Sequence, residues 1–489
     1  MPTAMKQNYR GVYHFSPKEM WMNDPNGMVY FAGEYHLFFQ HHPHGMTWGP
    51  MHWGHAVSKD LVTWEELNIA LVPDENGMIF SGSAVVDWHN TTGFFDDGPG
   101  LVAIFTHHLD AVGEHPVQTQ SLAYSKDKGR SWIKYEGNPV LKHDSFIDFR
   151  DPKVFWNETA SCWTMIIACG QKVCLYHSPD LKEWTLGSEF GTGIGFHEGV
   201  WECPDLFPLQ VNGDPARQKW VMLVSIGDNP AFIEGSRTQY FTGDFDGHTF
   251  VPDAESRTVR WLDCGRDNYA GVSWSDIPSE DGRRLFIGWM SNWKYANLTP
   301  TEGFRGAMTI PRELLLEERE GKVTLVQRPV KELEKARVPV LSLANVSIEE
   351  ANAALSSLQL ESFELKAVAA AGTSFAFKVR AGQNSETVAG VDAKEGKVYV
   401  DRTRSGCCDF QEHFAGIHTA SLMAVNEETD IDLFVDRASI EVFAAGGQAV
   451  ITDLIYPDTE STGISVHAGE LDMKLISLSV YALAPSAVS

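Results

Sequence analysis

Short runs of apolar and aromatic residues recur along most of the chain, and Gly, Pro, Asn and Asp separate one run from the next. The runs are rich in β-branched and aromatic side chains, a composition typical of short β-strands. Convincing amphipathic helix patterns are nearly absent before residue 330. The pattern therefore predicts an all-β chain, with strands that include residues 29–31, 35–39, 101–105, 154–156, 163–167, 220–224 and 285–289.

A short motif repeats after three of these predicted strands. Each copy has a Ser, an Asp two residues later and a Trp a turn further on, as in Ser58/Asp60/Trp64, Ser125/Asp127/Trp132 and Ser178/Asp180/Trp184. An Asp at that position can accept hydrogen bonds from its own turn. The copies recur at intervals of about 60 residues, close to the length of a four-stranded propeller blade. With a degenerate copy at 243–247 and the strand at 285–289, the repeat predicts a five-bladed β-propeller over residues 1–330.

The chain changes character after the repeats. The segments 313–320 and 331–337 are dense in charge, and we interpret 311–339 as a linker that lies on a domain surface, with a short helix at 330–335. The boundary between the two domains is placed at 331–340. Alternating strands follow at 374–379, 397–401, 431–435 and 438–443, and Asp436-Arg437 is predicted to form a tight hairpin. Residues 341–489 are therefore predicted to form a second all-β domain, a β-sandwich.

Composition limits the partners that the chain can bind. A formal net charge of −26 over 489 residues opposes binding to nucleic acid or to an anionic membrane. No run of about 18 apolar residues is present. The chain has seven cysteines, of which Cys407 and Cys408 are adjacent, and this favours reduced thiols over a disulfide framework. The polar N-terminus favours a cytoplasmic protein, although a secreted chain from which a signal peptide had been removed would have the same sequence. Nothing in the sequence indicates an oligomeric state.

Three acids stand out because apolar or aromatic residues and a nearby proline surround each one. They are Asp24, Asp151 and Glu202, and we predict that they lie on loops of different blades. Taken singly, each also fits a structural role, as a turn residue, a surface ion pair or a solvated acid. Taken together, they fit the two carboxyl groups and the supporting acid that glycosidic bond hydrolysis requires.

At this point the chain resembles glycoside hydrolase family 32, which comprises invertases, levanases, inulinases and related β-fructosidases. The resemblance rests on segments 21–27 (WMNDPNG), 80–83 (FSGS), 149–152 (FRDP), 201–204 (WECP) and 304–312 (FRGAMTIPR), which occur in the order of the family. It covers residues 21 to about 333 well. It implies a five-bladed propeller followed by a sandwich.

The resemblance also implies roles for individual residues. Asp24 matches the nucleophile, Glu202 the general acid/base and Asp151 the transition-state stabiliser. The positions that match substrate-binding residues are Asn23, Gln40, Trp48, Phe80, Ser81, Arg150, Asp267, Tyr269 and Trp293. No metal or cofactor is implied.

Physical chemistry is consistent with these roles. Three acids in one funnel cannot all ionise without cost, so at least one pKa must rise, and Glu202 is the expected holder of the proton. For a retaining enzyme the carboxyls of Asp24 and Glu202 should lie about 5 to 5.5 Å apart.

A transition-metal site is a second hypothesis for the histidine-rich stretch. The histidines are His36, His41, His42, His44, His52 and His55. Neighbours on a strand point to opposite faces, so His41 and His42 cannot easily share one ion. Solvated or pocket-rim histidines are the favoured interpretation.

The sequence thus predicts a retaining exo-β-fructofuranosidase that releases terminal fructose from sucrose or from fructans such as levan and inulin. Two alternatives stay open: a fructosyltransferase of the same family, such as a levan fructotransferase, and a non-catalytic carbohydrate-binding propeller.

Overall fold

The computed structural model of the protein describes residues 9–96, 98–110, 115–422, 428–469 and 472–483. Within these residues the chain is almost entirely β-structure, with a single α-helix, α1 (Ile348–Leu355), and short 3₁₀ helices at Ala254–Arg257, Ala296–Leu298, Lys331–Ala336 and Ala445–Gly447. The prediction of an all-β chain is confirmed. No helix in the described segments is long and apolar enough to cross a membrane.

Residues 20–329 form five sheets of consecutive, mostly antiparallel strands, which we call the five-sheet region. The first sheet contains β1 (Met20–Phe31), β2 (Glu34–His42), β3 (His52–Ser58) and β4 (Trp64–Glu66). The second contains β5 (Met78–Asp87), β6 (Gly100–Leu109), β7 (Val117–Ser125), β8 (Ile133–Lys134) and β9 (Leu141–Lys142). The third contains β10 (Phe149–Asn157), β11 (Cys162–Cys169), β12 (Val173–Ser178) and β13 (Thr185–Phe190).

The last two sheets follow the same plan. The fourth contains β14 (Trp201–Gln210), β15 (Gln218–Ile226), β16 (Arg237–Phe245) and β17 (Phe250–Pro252). The fifth is built from β18 (Tyr269–Ser273), β19 (Arg284–Trp289), β21 (Arg312–Arg319) and β22 (Lys322–Pro329), while β20 (Phe304–Arg305) between them in sequence pairs in parallel with β1.

The first strands of the five sheets contact one another in a closed ring, β1 to β5 to β10 to β14 to β18 and back to β1. Two parallel contacts between the end and the start of the region close this ring. Strand β20 pairs with β1, and the backbone of Tyr30 donates to the carbonyl of Ser275 at 3.0 Å. One end of each inner strand therefore meets the corresponding end of the others.

The repeated motif forms the turn after the third strand of its sheet. In the first copy the Asp60 carboxylate accepts from the backbone N–H of Val62 at 3.0 Å and of Thr63 at 2.7 Å. In the third copy the Asp180 carboxylate accepts from Lys182 at 2.9 Å and Glu183 at 3.0 Å in the same way. The predicted role of the Asp as a turn-forming acceptor is confirmed.

The charge-dense segment 313–320 is not a surface connection, and this part of our interpretation is wrong. It lies in β21, which pairs with β22 and completes the fifth sheet. Leu314 and Leu316 are buried in the core, whereas Glu317 forms ion pairs with Arg319 and Arg328. Because the outer face of the strand is charged, the sequence does not have the apolar composition by which the other strands were predicted. A 3₁₀ helix spans Lys331–Ala336, in agreement with the short helix predicted at 330–335. A strand begins at Arg337, so the connection ends earlier than the predicted residue 340.

The remaining strands form two sheets, which we call the two-sheet region. One has the order β23-β33-β24-β29-β30-β31 and the other β28-β27-β26-β25-β32. Their bounds are β23 (Arg337–Ser347), β24 (Phe363–Ala370), β25 (Phe375–Ala381), β26 (Glu386–Asp392), β27 (Lys397–Arg404), β28 (Ile417–Ser421), β29 (Glu428–Asp436), β30 (Ser439–Ala444), β31 (Ala449–Leu454), β32 (Gly463–Ala468) and β33 (Lys474–Leu483). Alternate residues such as Phe375, Phe377 and Val379 are buried in a core of this region's own.

The two regions share both apolar and charged contacts. Phe434, Phe443 and Val450 of the two-sheet region belong to the same apolar cluster as the first and fifth sheets. Within this interface the buried imidazole of His14 contacts Asp436 at 2.8 Å through Nδ1 and Glu441 at 2.7 Å through Nε2. Burial alone would lower the pKa of His14, but the hydrogen bonds to these two acids raise it to about 9.

This buried ion pair makes stability depend on pH. A group whose pKa rises from 6.5 when unfolded to about 9 when folded stabilises the fold fully below pH 6.5, and the contribution disappears as pH rises through 9. The contribution amounts to about 3 kcal/mol.

Replacing the imidazole tests this assignment. We expect His14→Gln to lower the free energy of unfolding at pH 6 by roughly 3 to 5 kcal/mol, because two acids lose their buried partner. We also expect the variant to lose less stability than the wild type between pH 6.5 and 9, as measured by denaturant unfolding. His467→Gln, at an exposed site, is the control. Equal losses of stability across this pH range in wild type and His14→Gln would contradict the assignment.

Candidate active site

The three predicted acids lie on the first strands of three different sheets: Asp24 on β1, Asp151 on β10 and Glu202 on β14. They lie within strands, not on loops as the sequence analysis predicted. Pro25, Pro152 and Pro204 resemble loop residues, but Pro152 and Pro204 fall where the strand loses regular pairing, and Pro25 is the first paired residue after such a point.

The same irregularity occurs in all five inner strands. Each has a register shift against its second strand, located at 22–25 in β1, 79–82 in β5, 150–153 in β10, 202–205 in β14 and 269–272 in β18. At three of these shifts a non-glycine residue has positive φ: Asp151 at 65°, Cys203 at 44° and Ala270 at 53°. A register shift turns side chains away from the regular alternation. Here it turns them toward the end of the ring at which the inner strands meet.

A cavity of about 490 Å³ opens at this end. It is lined by Asn23, Asp24, Gln40, Trp48, Phe80, Ser81, His108, Pro116, Gln118, Asp148, Arg150, Asp151, Glu202, Trp293 and Asn297. Ten of the twelve predicted site residues are in this set, and the structure therefore brings together positions up to 270 residues apart in sequence.

Asp24 is held by two donors. The Asn23 amide donates to Oδ1 at 2.9 Å, and the Ser81 hydroxyl donates to Oδ2 at 2.8 Å. Burial and the nearby charge of Glu202 raise the pKa of Asp24, whereas these two hydrogen bonds oppose the rise. These donors also fix the orientation of the carboxylate in the lining of the cavity.

Asp151 is the most enclosed of the three acids. Its Oδ2 accepts from the backbone N–H of Cys203 at 3.0 Å, and Arg150 Nε lies 3.9 Å from the same oxygen. Burial raises the pKa of Asp151 to about 7, with further increases from the charges of Glu202 and Asp24, although Arg150 lowers it. A raised pKa, which the sequence analysis expected at Glu202, is thus found at Asp151 and at Asp24.

Glu202 has a donor on each oxygen. Arg150 Nη2 donates to Oε1 at 2.8 Å, and the Tyr269 hydroxyl donates to Oε2. Burial, followed by the charge of Glu202, raises the pKa of Tyr269 well above its usual value, so the phenol keeps the proton that it donates. Arg150 also contacts Asp148 and is thus the cation at the centre of a set of acids.

Cys203 is a residue of the site that was not predicted from the sequence. Its thiol lies 3.5 Å from Asp24 Oδ2 and 3.6 Å from Asp151 Oδ2. Burial, with the charges of both acids, raises the pKa of this thiol well above its usual value, so it stays a neutral donor between them. Its position next to Glu202 was the available signal. His108, Pro116, Gln118 and Asn297 also line the cavity but carry no comparable motif.

Aromatic rings form the cavity walls. Trp293 stacks on Trp21 with ring centroids 5.9 Å apart, and Phe80 stacks on His108 at 4.2 Å. Trp48 is 41% exposed, and its backbone N–H is held by the Asn297 side chain at 2.9 Å. The buried Gln40 Nε2 has no hydrogen-bond partner among the described residues, so a donor is available to a bound molecule.

Two predicted residues do not line the cavity. Tyr269 acts through its hydrogen bond to Glu202. Asp267 is fully buried and pairs with Arg402 of the two-sheet region at 2.6 Å, which keeps its carboxylate away from the cavity. A substrate-binding role for Asp267 has no support from this position.

The histidine-rich stretch separates as strand alternation predicts. His41 is buried and bonds the Trp21 carbonyl at 2.8 Å, whereas His42 bonds the Thr47 carbonyl at 2.9 Å. His36 and His55 stack at 5.2 Å in the core. Across the described segments, no group of three His, Cys, Asp or Glu side chains is arranged to hold a metal ion.

Known proteins that are similar to this chain in sequence are glycoside hydrolases. Residues 14–329 match the glycosyl hydrolases family 32 N-terminal domain, and residues 332–482 match the glycosyl hydrolases family 32 C terminal domain. The chain is 52% identical to a levanase of Bacillus subtilis (strain 168), with 98% of this chain and 71% of that protein aligned. It is 38% identical to an extracellular exo-inulinase of Aspergillus niger, with 94% of this chain and 91% of that protein aligned.

Solved structures give the same result. The crystal structure of exo-inulinase from Aspergillus awamori is similar with a TM-score of 0.90 and 34% identity, over 99% of this chain and 100% of that one. Both matched domains and these relatives cover nearly the whole sequence. The chain therefore belongs to glycosyl hydrolase family 32.

Proposed function

We propose that the protein is a retaining exo-β-fructofuranosidase that hydrolyses terminal β-D-fructofuranosyl residues of sucrose or of fructans such as levan and inulin. The observation that carries the proposal is the meeting of Asp24, Asp151 and Glu202 in one cavity, with different hydrogen-bond partners for each. Relatives named levanase and exo-inulinase support the substrate class.

We also propose that the five-sheet region is a five-bladed β-propeller and that the two-sheet region is a β-sandwich. The closed ring of inner strands supports the propeller, because each sheet extends outward from one member of that ring in sequence order. The separate core between the six-stranded and five-stranded sheets supports the sandwich.

In the first step, an Asp24 oxygen attacks C2 of the terminal fructosyl group. The bond from C2 to the leaving oxygen breaks while Glu202 gives that oxygen a proton, and a fructosyl ester of Asp24 remains. The donors Asn23 and Ser81 hold the attacking carboxylate in place, so the entropy cost of orienting it in the transition state is small.

In the second step, Glu202 removes a proton from water. The water oxygen bonds to C2 from the side that the leaving group vacated, and the bond to Asp24 breaks. Two displacements at one carbon give net retention. Fructose is released, and Asp24 returns as a carboxylate with Glu202 protonated again.

Asp151 and Gln40 are assigned to the fructose hydroxyls. Burial raises the pKa of Asp151 to about 7, and hydroxyl donors from a bound sugar favour the ionised form of this acid. The Gln40 amide provides a donor to the same ring, because its buried Nε2 has no hydrogen-bond partner among the described residues.

Removal of the nucleophile tests the proposal directly. We expect wild type to release free fructose from sucrose, levan or inulin, and Asp24→Ala to lower kcat by about 10⁴-fold or more, because no ester can form. Fructose release is measured by anion-exchange chromatography. Asp127→Asn, at a turn far from the cavity, is the matched control with near wild-type kcat.

Near wild-type turnover by Asp24→Ala would refute the assignment of the nucleophile. Difructose anhydride or longer oligosaccharides as main products of the wild type would favour the fructosyltransferase alternative. No turnover of any β-fructoside by wild type would favour a binding role.

The stereochemical outcome tests the double displacement. With methanol as a competing acceptor, we expect methyl β-fructofuranoside to form, because attack on the fructosyl ester restores the original configuration. The product is identified by NMR during the first minutes of the reaction. Formation of the α-anomer would exclude a fructosyl ester of Asp24.

The hydrogen bond from Tyr269 to Glu202 predicts a change in the pH profile. The phenol stabilises the ionised acid, so Tyr269→Phe should favour the protonated form. We expect the alkaline limb of the plot of kcat/KM against pH to move to higher pH by about 0.5 to 1 pH unit. We also expect a lower kcat at the pH optimum. The profile is measured with sucrose. An unchanged alkaline limb would show that this contact does not affect proton transfer.

A further inference from the structure

Arg402 belongs to β27 in the two-sheet region, but its side chain reaches residues of the five-sheet region. It is fully buried, and its Nη1 donates to Asp267 Oδ2 at 2.6 Å while its Nη2 donates to the Tyr295 hydroxyl at 2.9 Å. The guanidinium is fixed from its own side by the Phe414 carbonyl, which accepts from Nε at 2.7 Å.

The carboxylate of Asp267 accepts its hydrogen bonds from residues that do not line the cavity. Besides Arg402, its carboxylate accepts from the Tyr295 hydroxyl at 2.7 Å and from the backbone N–H of Leu454 at 2.7 Å. Asp267, Tyr295 and Arg402 thus form a closed triangle of hydrogen bonds in which each member contacts the other two.

Both five-sheet residues of this triangle are two positions from a residue of the active site. Asp267 precedes Tyr269, which donates to Glu202. Tyr295 follows Trp293, a wall of the cavity. The guanidinium of Arg402 therefore joins the two segments that supply the partner of the acid/base and one aromatic wall.

Tyr269 is buried against Trp289, with ring centroids 6.3 Å apart, but its strand gives it little backbone pairing. It is the first residue of β18, and after its single pairing with Trp289 the register shifts. On its other side, residues 264–267 run along β31, with the Cys264 N–H bonded to the Val450 carbonyl at 2.9 Å and the Asp267 N–H bonded to the Thr452 carbonyl at 3.0 Å. The approach is so close that a Cβ at Gly265 would lie 2.1 Å from the Thr452 oxygen.

We propose that Arg402 is a positioning residue of the active site, through which the two-sheet region sets the placement of Tyr269 against Glu202. The proposal rests on the function proposed above, and it gives the two-sheet region a part in the reaction. A buried ion pair by itself adds little net stability, but it fixes one arrangement of the groups that it joins. Here those groups are two active-site segments.

The experiment compares Arg402→Lys with His14→Gln, since both weaken a buried ionic contact between the regions. Lysine keeps the charge but cannot contact Asp267 and Tyr295 together in a planar fork. We expect Arg402→Lys to lower kcat on sucrose by roughly 10- to 100-fold, with a smaller change in KM, and to move the alkaline limb of the pH profile. His14→Gln should lose comparable stability and keep both kcat and the profile.

A double-variant cycle separates positioning from general destabilisation. If Arg402 acts through Tyr269, the variant Arg402→Lys/Tyr269→Phe should have nearly the kcat of Tyr269→Phe alone, whereas His14→Gln/Tyr269→Phe should show independent effects. Should Arg402→Lys fail to fold, Tyr295→Phe removes one corner of the triangle and is tested in the same cycle.

A wild-type kcat and pH profile in Arg402→Lys, or in Tyr295→Phe where the lysine variant does not fold, would overturn the proposal, as would independent effects with Tyr269→Phe. These results would leave the proposed function intact, because that function is tested by wild-type turnover and by Asp24→Ala.

Discussion

Three carboxyl groups share one cavity, and the electrostatic repulsion among them determines much of the structure around it. Each acid has its own donors: Asn23 and Ser81 for Asp24, the Cys203 backbone for Asp151, and Arg150 with Tyr269 for Glu202. Because these donors come from different sheets, no sheet could move relative to its neighbours without leaving a buried acid partly unpaired. The ring of inner strands is thus stabilised by hydrogen bonds to the three acids at one end, and by apolar packing along its length.

The register shifts explain how regular sheets can supply such an irregular set of groups. A strand with perfect alternation presents every second side chain to the same face, and neighbouring residues such as Asn23 and Asp24 could not both face the cavity. Loss of regular pairing at the same place in all five inner strands removes this restriction. The positive φ of Asp151 and Cys203 is the local strain that accompanies this arrangement.

The sequence was most informative where chemistry and local pattern coincide. Asp24, Asp151 and Glu202 were predictable because polar residues inside apolar surroundings are uncommon, and the Asp60 turns were predictable because their hydrogen bonds are local. The strand β21 was missed because its outer face is charged, and the placement of the acids in strands was missed because proline is expected in loops. The contact of Arg402 with Asp267 spans 135 residues of sequence, and nothing local in either segment indicates it.

The buried ionic contacts between the regions have a consequence for how the protein can be divided. His14, which precedes the five-sheet region, and Arg312 both contact acids of the two-sheet region. Arg402 of the two-sheet region contacts Asp267 of the five-sheet region, and Arg312 also contacts Asp263 of its own region. Separating the two regions would leave unpaired charges on both of the surfaces that become exposed. The two regions should therefore unfold in one cooperative transition, although each has its own core. Exchange of the two-sheet region with that of a relative would succeed only where these charged partners are exchanged as a set.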